Sequence, residues 1–313
     1  MERAANTPEQ DAHDTVAIER QNLLNVGYRL LGSLTEAEDA VQEAYSRWYA
    51  LDPHQRGSIL SPAAWLTTTT TRVCLDVLKS ARARRERYVG EWIPEPLPSA
   101  PAPSAATLAH SGVDPADRIT LDESVSMAML VVLESMTPAE RVAFILHDVF
   151  RFPYSEIATM VGRSIEACRQ LASSARRRIG EDMTLDPPLS EQEEVVERFR
   201  RVWEAHDIAG LVDLLDPSAT LVTDSGGNVN AARRPISGAT ELARFLVRLA
   251  CQGAALGVEI APTTVNGRPG LTGRMGERTV MVLSFGIDRS RVRHLWAVVN
   301  PEKLVLWNRD EVI

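Results

Sequence analysis

Residues 138–180 read PAERVAFILHDVFRFPYSEIATMVGRSIEACRQLASSARRRIG, and their pattern decides how the rest of the chain is read. Thr137 stands before Pro138, and Glu140 follows the threonine by three residues. That combination is an N-cap, a first-position proline and a capping box, so a helix begins here. Its pattern ends near Phe150. A short helix is expected over Tyr154 to Val161, a tight turn over Gly162 to Ser164 and a longer helix over Ile165 to Arg178, the helix-turn-helix order. In the last helix Cys168, Leu171, Ala172 and Ala175 recur at i, i+3, i+4 and i+7 and form the inward face. Glu166, Arg169, Gln170 and Ser173 have the same spacing on another face. Arg and Gln there can bond base edges in a major groove. Arg176, Arg177 and Arg178 suit phosphates and complement the helix dipole. From Arg163 to Arg178 five arginines face one glutamate. A solvated charged face is the plainer alternative; the agreement of pattern and charge favours DNA reading.

The chain has 313 residues, room for two or three domains, and 44% hydrophobic residues, enough for real cores. A formal net charge of −8 argues against indiscriminate coating of nucleic acid but leaves local basic faces open. Cys74, Cys168 and Cys251 are odd in number, far apart and set in apolar patterns, so they read as buried free thiols of a reducing compartment. No run of about 18 apolar residues predicts a membrane span, and the first residues lack an apolar signal core. A cytoplasmic protein is expected, with no membrane partner, no metal and no cofactor.

Upstream, residues 12–90 read as helical. Thr35 and Glu38 form a candidate capping box for TEAEDAVQEAYSRWY (35–49), in which Val41, Ala44, Tyr45 and Trp48 make the apolar stripe. Asp39 and Glu43, four apart, project from one face. Ser61 and Pro62 open the next helix, which contains five consecutive threonines, Thr67 to Thr71. Threonine is a mediocre helix former, so either tertiary packing holds this turn or the hydroxyls face a DNA strand. Arg72, Lys79, Arg82, Arg84, Arg85 and Arg87 form a second basic stretch. Two tethered DNA contacts gain from effective concentration. Residues 91–117 are rich in Pro, Ala and Ser and read as a semi-extended linker, yet Trp92, Ile93 and Leu97 are too apolar for a plain spacer. Within 118–182, DESVSMAMLVVLESM reads as a buried helix ahead of the helix-turn-helix.

From about Ser190 the chain reads as a small α+β domain, 190–313. Ser190 and Glu193 form another candidate capping box. ATLVTDS, GVEIAPTTV, RTVMVLSFGID and RVRHLWAVVN read as strands, NGRPG and DRSR as turns, and GATELARFLVRLACQ as a helix between strands.

TEAEDAVQEAYSRWY resembles the region-two helix of extracytoplasmic-function (group IV) sigma factors, and residues 136–179 resemble their region four almost end to end. YVGEWIPEPLP (88–98), the strand-rich tail and NPEKL (300–304) resemble the subgroup fused to a SnoaL-like, nuclear-transport-factor-like domain. The subgroup's Asp-Gly-Gly-Gly-Lys motif falls at Asp224, where DSGGN has Ser225 for one glycine and Asn228 for the lysine. The resemblance implies a multi-domain fold: two all-α modules, at 12–90 and 118–182, and a C-terminal α+β cone. It implies RNA polymerase core, through the β′ clamp and β flap, and promoter DNA as partners. Asp39 and Glu43 would face the β′ clamp helices. Arg56, Thr68, Thr71, Arg72, Lys79 and Arg82 would serve the −10 element, with Gln55, Arg56 and Ser58, ahead of Trp65, as loop candidates for capturing a melted base. Arg163, Glu166, Arg169, Gln170, Ser173, Arg176 and Arg177 would serve the −35 element.

For the tail, His206, Asp207, Asp224 and His294 are the polar candidates for general acid or base chemistry, but no base with its orienting partner is evident. Strand alternation groups His294 with Val292, Trp296 and Val298. The favoured reading is regulation in cis: Trp92, Ile93 and Leu97 dock against Asn300, Pro301 and Leu304, with no enzymatic role. A third reading adds a small ligand that shifts this docking. The alternative of a different class is an ordinary helix-turn-helix regulator with an enzymatic or ligand-binding tail. The Asp39/Glu43 helix discriminates, since such a regulator has no use for it.

Overall fold

The structure is a computed structural model that describes residues 8–85, 90–98, 126–182, 187–227, 232 and 234–311. Within these, the side chains of 8–18, 81–85, 181–182 and 309–311 lie outside the description. So do most of the 91–117 linker, the start of the 118–182 segment, Asn228, and the side chains of Arg82, Arg84, Arg85 and Arg87. The chain divides into two compact units. The described parts of the first are 8–83 and 135–178; those of the second are 84–85, 90–98, 126–134, 179–182, 187–227, 232 and 234–311.

In the first unit, α1 (Pro8–Leu31) ends at Gly32, whose φ of 69° is the left-handed stop that glycine permits. Helix α2 (Leu34–Ala50) is capped by Ser33, which accepts from the Glu36 amide. The cap therefore lies two residues before the expected Thr35. Leu23, Leu24, Val41, Ala44, Trp48 and Leu66 form the core shared by α1, α2 and α4 (Pro62–Arg85). Between them, α3 (Pro53–Ser58) starts with an Asp52/Gln55 capping box. Ser61 accepts from the Ala64 amide at 3.2 Å, as its sequence position predicts.

Helix α6 (Pro138–Phe144) carries the Thr137/Glu140 capping box complete, each side chain meeting the other residue's amide. It runs into a π turn over Ile145–Val149. Helix α7 (Tyr154–Val161) closes on Gly162 at φ 69°, and α8 (Ile165–Asp182) follows. Cys168, Ala172 and Ala175 are buried and Leu171 is half-buried, so the inward face of α8 is the one the spacing predicts. The helix-turn-helix also packs on the earlier helices. Buried Arg141 donates to the Leu30 carbonyl at 2.9 Å, and the Arg29 guanidinium lies 5.2 Å from the Phe150 ring centre.

The second unit is built on one sheet of β1 (Leu215–Asp224), β2 (Ile236–Ser237), β3 (Val258–Val265), β4 (Arg268–Met275), β5 (Arg278–Asp288) and β6 (Arg291–Val298). The order is β2-β1-β6-β5-β4-β3; every pairing is antiparallel except β1 with β6. Strand β4 falls where NGRPG reads as a turn. Only Asn266 and Gly267 turn, both at positive φ, and Arg268 onward joins the sheet with Pro269 near its end, where a missing N–H is tolerated. Helices α9 (Leu189–Glu204), α10 (Ile208–Leu214) and α11 (Ala239–Ala255) cover the inner face over Phe199, Trp203, Leu242, Leu246, Leu283 and Leu295. The expected Ser190 cap is absent: Pro188 occupies the N-cap of α9 with no side-chain bond.

The outer face holds a second core of Ile93, Met127, Val265, Val282, Trp296, Val298 and Leu304. Alternation along β5 and β6 sends neighbouring residues to opposite cores. The short apolar helix α5 (Met127–Glu134) is thus a layer on the outer face of the sheet. Cys251 corrects the expectation of three buried thiols. Ala239, Leu242, Ala243 and Leu246 carry the buried stripe of α11, and Cys251 falls on its exposed side.

Candidate nucleic-acid interface

On α8 the side chains of Glu166, Arg169, Gln170, Ser173, Arg176 and Arg177 are all exposed, as is Arg163 in the turn before it. Arg169 is only loosely engaged, 3.4 Å from Glu166, and its guanidinium lies 5.8 Å from the Tyr154 ring centre. Arg176 is more committed: it donates to Asp148 at 2.8 Å and to the Tyr154 hydroxyl at 2.9 Å. These bonds raise its pKa further above the ordinary range. Arg178 turns back to the Ser135 carbonyl at 2.8 Å. The face is cationic, rigidly mounted and open, with Arg169, Gln170 and Arg177 the freest donors.

On α2, Asp39 and Glu43 are both exposed on one face, and Glu43 accepts from Arg47 at 2.8 Å. The threonine run divides by burial. Thr67, Thr70 and Thr71 are buried, with Thr70 and Thr71 at 0%, whereas Thr68 and Thr69 are half-buried. Thr71 is therefore no surface residue in this arrangement; packing, and not DNA, surrounds it. Thr67 and Thr69 return their hydroxyls to the carbonyls four residues back, which satisfies them inside the helix. Arg72 donates to the Thr159 carbonyl of α7 at 3.0 Å. Lys79 pairs with Asp76 at 2.9 Å on an exposed surface. Arg56 is half-buried on α3, beside exposed Gln55 and Ser58. The helix-turn-helix and the earlier helices thus share one unit in which Arg72 is occupied.

The linker residues meet the C-terminal domain in a polar clasp within the second unit. Asp224, fully buried at the end of β1, accepts from the Ile93 amide at 2.9 Å and from Lys303 Nζ at 2.7 Å through one oxygen. The other oxygen accepts from the Gly226 amide at 3.1 Å. Lys303 also donates to the Ile93 carbonyl, and its ammonium lies 4.0 Å from the Trp92 ring centre. One cation is met by a carboxylate, a carbonyl and an aromatic face, which offsets the cost of its desolvation. Trp307 Nε1 donates to the Pro96 carbonyl at 2.8 Å. Leu97 exchanges both backbone groups with Asn266, whose side chain accepts at 3.1 Å and whose amide donates at 2.9 Å. Ile93 and Leu304 fill the outer core.

Of the expected contact residues, Trp92, Ile93, Leu97 and Leu304 converge here. Asn300 acts on the turn: its Oδ1 accepts from the Glu302 amide, and its backbone amide donates to the Asp224 carbonyl. Pro301 is exposed at the start of that turn. Gly226 has φ 62°, and a Cβ there would lie 2.7 Å from the Asn300 side chain, so this position needs glycine. Asp224, Asn266 and Trp307 complete the clasp and were not assigned to it from sequence, and Lys303 entered only as part of NPEKL. Lys303 sits inside the quoted NPEKL, but nothing local pairs it with an aspartate 79 residues earlier.

The acid–base candidates of the tail are dispersed. Asp207 caps α10, accepting from the Gly210 amide at 3.0 Å. Asp224 belongs to the clasp. His206 is exposed at positive φ. His294 bonds Thr220 at 2.9 Å and stacks on Trp296. A β-bulge between Val292 and His294 places Val292 in the inner core, while His294 sits with Trp296 toward the outer face. One extra residue reverses the alternation, so the grouping of His294 with Val292 is corrected.

A family profile described as "Sigma-70 region 2" matches residues 16–84, and one described as "Sigma-70, region 4" matches residues 126–179. The chain is 37% identical to "ECF RNA polymerase sigma factor SigJ" of Mycobacterium tuberculosis, over 91% of this chain and 90% of the relative. It is 33% identical to "Probable ECF RNA polymerase sigma factor SigI" of the same species, over 93% and 96%. The crystal structure of M. tuberculosis SigJ superposes with a TM-score of 0.71 at 33% identity, covering 94% of this chain and 98% of that one.

Proposed function

Because this chain belongs to the extracytoplasmic-function family of RNA polymerase sigma factors, whose partners are the polymerase core and promoter DNA, we propose specific roles for its surfaces and a regulatory role in cis for its C-terminal domain. Arg169, Gln170 and Ser173 read −35 bases, with Arg163, Arg176 and Arg177 on the phosphates. Asp39 and Glu43 bind the polymerase clamp. Arg56, Thr68, Arg72, Lys79 and Arg82 serve the −10 region, and Thr71 supports them from inside the helix. The C-terminal domain is a regulator and not a catalyst; its dispersed acid–base candidates support this. The protein works where its polymerase is, in the cytoplasm. Among the described residues no helix is long and apolar enough to cross a membrane.

The observation that carries the regulatory reading is the Asp224–Lys303–Trp92 clasp together with α5 on the same sheet face. Residues 92–98 follow the region 2 match, and α5 opens the region 4 match, yet both pack in the C-terminal unit. The domain thereby holds the chain on both sides of the inter-module segment. Elements named −35 and −10 are centred about 25 base pairs apart, roughly 85 Å at 3.4 Å per step. A compact unit of about 130 residues spans only roughly 40 Å. The Arg72–Thr159 and Arg141–Leu30 contacts must therefore part before both elements are engaged. The clasp sets how readily this happens.

Run-off transcription with core polymerase tests the scheme. Trp92→Ala and Lys303→Ala should change transcript yield and the preferred spacing of the two elements. Unaltered yield and spacing in both variants would end the regulatory reading. Asp39→Arg with Glu43→Arg should abolish core binding while leaving the circular dichroism spectrum unchanged; retained core binding would remove those two residues from the polymerase surface.

A further inference from the structure

We infer that the C-terminal domain carries a binding site for a small, mostly apolar molecule with one anionic end, and that occupancy of the site is felt at the clasp. The site is a cavity of ≈ 640 Å³ between the helices and the inner face of the sheet. That volume suits a molecule of two or three fused or linked rings. Leu221, Phe245, Leu249, Met281 and Leu283 supply apolar wall. Among the described residues that line the cavity Arg248 is the one charged group; Glu204, Glu259 and Arg278 line the adjoining cavity, which shares Trp203, Leu249 and Gln252 with it. Arg248 is exposed at the mouth, its guanidinium 5.9 Å from the Phe245 ring centre, with Gln252 one turn further along α11. A carboxylate, phenolate or sulfonate there would meet a charge and an amide together.

Thr223 is the second, independent sign. It lines the same cavity from β1, is only 8% exposed, and its Oγ1 has no hydrogen-bond partner among the described residues. A buried hydroxyl left unpaired is destabilising, and such groups in native structures call for an explanation. That Oγ1 is itself buried, so a ligand with a polar atom at this wall supplies the missing bond once the threonine rotamer turns toward the cavity.

The same strands join cavity to clasp. Thr223 precedes Asp224 in β1, and the side chain of Val299 lines the cavity just before Asn300. The Val299 and Asn300 amides both donate to the Asp224 carbonyl, at 2.8 and 3.1 Å. A molecule pressing on Thr223 and Val299 therefore acts one residue from the carboxylate that holds Lys303 and Ile93. This coupling rests on the clasp reading given above; the binding site does not. By linkage, a ligand that shifts the clasp must bind differently when the clasp is weakened.

The test titrates the full chain with 1-anilinonaphthalene-8-sulfonate, an apolar anion, and with N-phenyl-1-naphthylamine, its uncharged counterpart. Saturable one-to-one emission is expected for both. Arg248→Gln should weaken the sulfonate about five- to tenfold and the neutral probe less than about twofold. Gln252→Trp, at an exposed position with little risk to folding, should narrow the mouth and weaken both probes about tenfold or more. Non-saturable emission, or unchanged affinity in both variants, overturns the site. Lys303→Ala, which does not line the cavity, should shift the sulfonate Kd several-fold. An unchanged Kd beside normal wild-type binding overturns the coupling alone. Unaltered transcription in that variant speaks against the clasp reading and leaves the binding result standing.

Discussion

Asp224→Asn is the sharpest perturbation of the clasp. The wild-type carboxylate is fully buried and accepts hydrogen bonds from the Ile93 and Gly226 amides and from Lys303 Nζ at 2.7 Å. Removing one partner of a buried ion pair costs about 3–5 kcal/mol, because the other charge stays behind unpaired. Here the Lys303 side chain is 12% exposed and keeps the Ile93 carbonyl and the Trp92 face. The expected cost falls to about 2 kcal/mol for that reason. Lys303→Met alone strands the carboxylate and should cost a similar amount. The double variant removes both charges, and its cost should fall short of the sum by about 1.5 kcal/mol or more. Amide hydrogen exchange reads this locally, since the Ile93 N–H ends on the Asp224 carboxylate. A loss of about 2 kcal/mol speeds its exchange roughly 30-fold if opening of the linker is local. Additive single effects, or Ile93 exchange within about twofold of wild type in Asp224→Asn, would refute the claim that this pair holds the linker.

Other outcomes follow from the same geometry. Arg169→Ala and Gln170→Ala should each cost about 1–3 kcal/mol of holoenzyme binding at one −35 base position. Arg177→Ala should weaken binding evenly across sequences and flatten the salt dependence by about one counterion, as titration at several salt concentrations will show. Among the three thiols, native alkylation followed by mass spectrometry should find Cys251 alone: it is exposed, whereas burial raises Cys74 to about 12 and Cys168 above its ordinary value. Burial pushes the Glu140 carboxyl upward, but the Thr137 amide and hydroxyl, the Ser174 hydroxyl and Arg178 outweigh it and hold it below the usual carboxylate range. A depressed folded value gives stability that is present above the ordinary carboxylate pKa and lost as pH falls through the depressed one. Melting curves across acid pH should therefore show a smaller loss in Glu140→Gln than in wild type.

Much was legible because it is local. The Thr137–Pro138–Glu140 signal, the Gly162 stop and the spacing of Cys168, Ala172 and Ala175 specify the helix-turn-helix within a few residues, since caps and helical periodicity act over one or two turns. Strands β5 and β6 were likewise legible from alternation between turns. Local signals also misled in two places. Ser33 caps α2 two residues before Thr35, where the capping-box pattern points, and Pro269 and Gly270 hid β4 inside an apparent turn.

The sequence by itself determined the helix-turn-helix, the exposed basic face of α8, the paired carboxylates of α2 and the α+β character of the tail. Each follows from short-range rules of capping, period and charge. Only the tertiary structure decided what those parts do to one another. It buried Thr71, tied Arg72 to Thr159 and turned His294 away from Val292 with one extra residue. It also joined Asp224, Lys303 and the 92–98 segment across separations of 79 to 211 residues. Partners that distant are chosen by which surfaces a folded sheet brings together, and no periodicity along the chain records that choice.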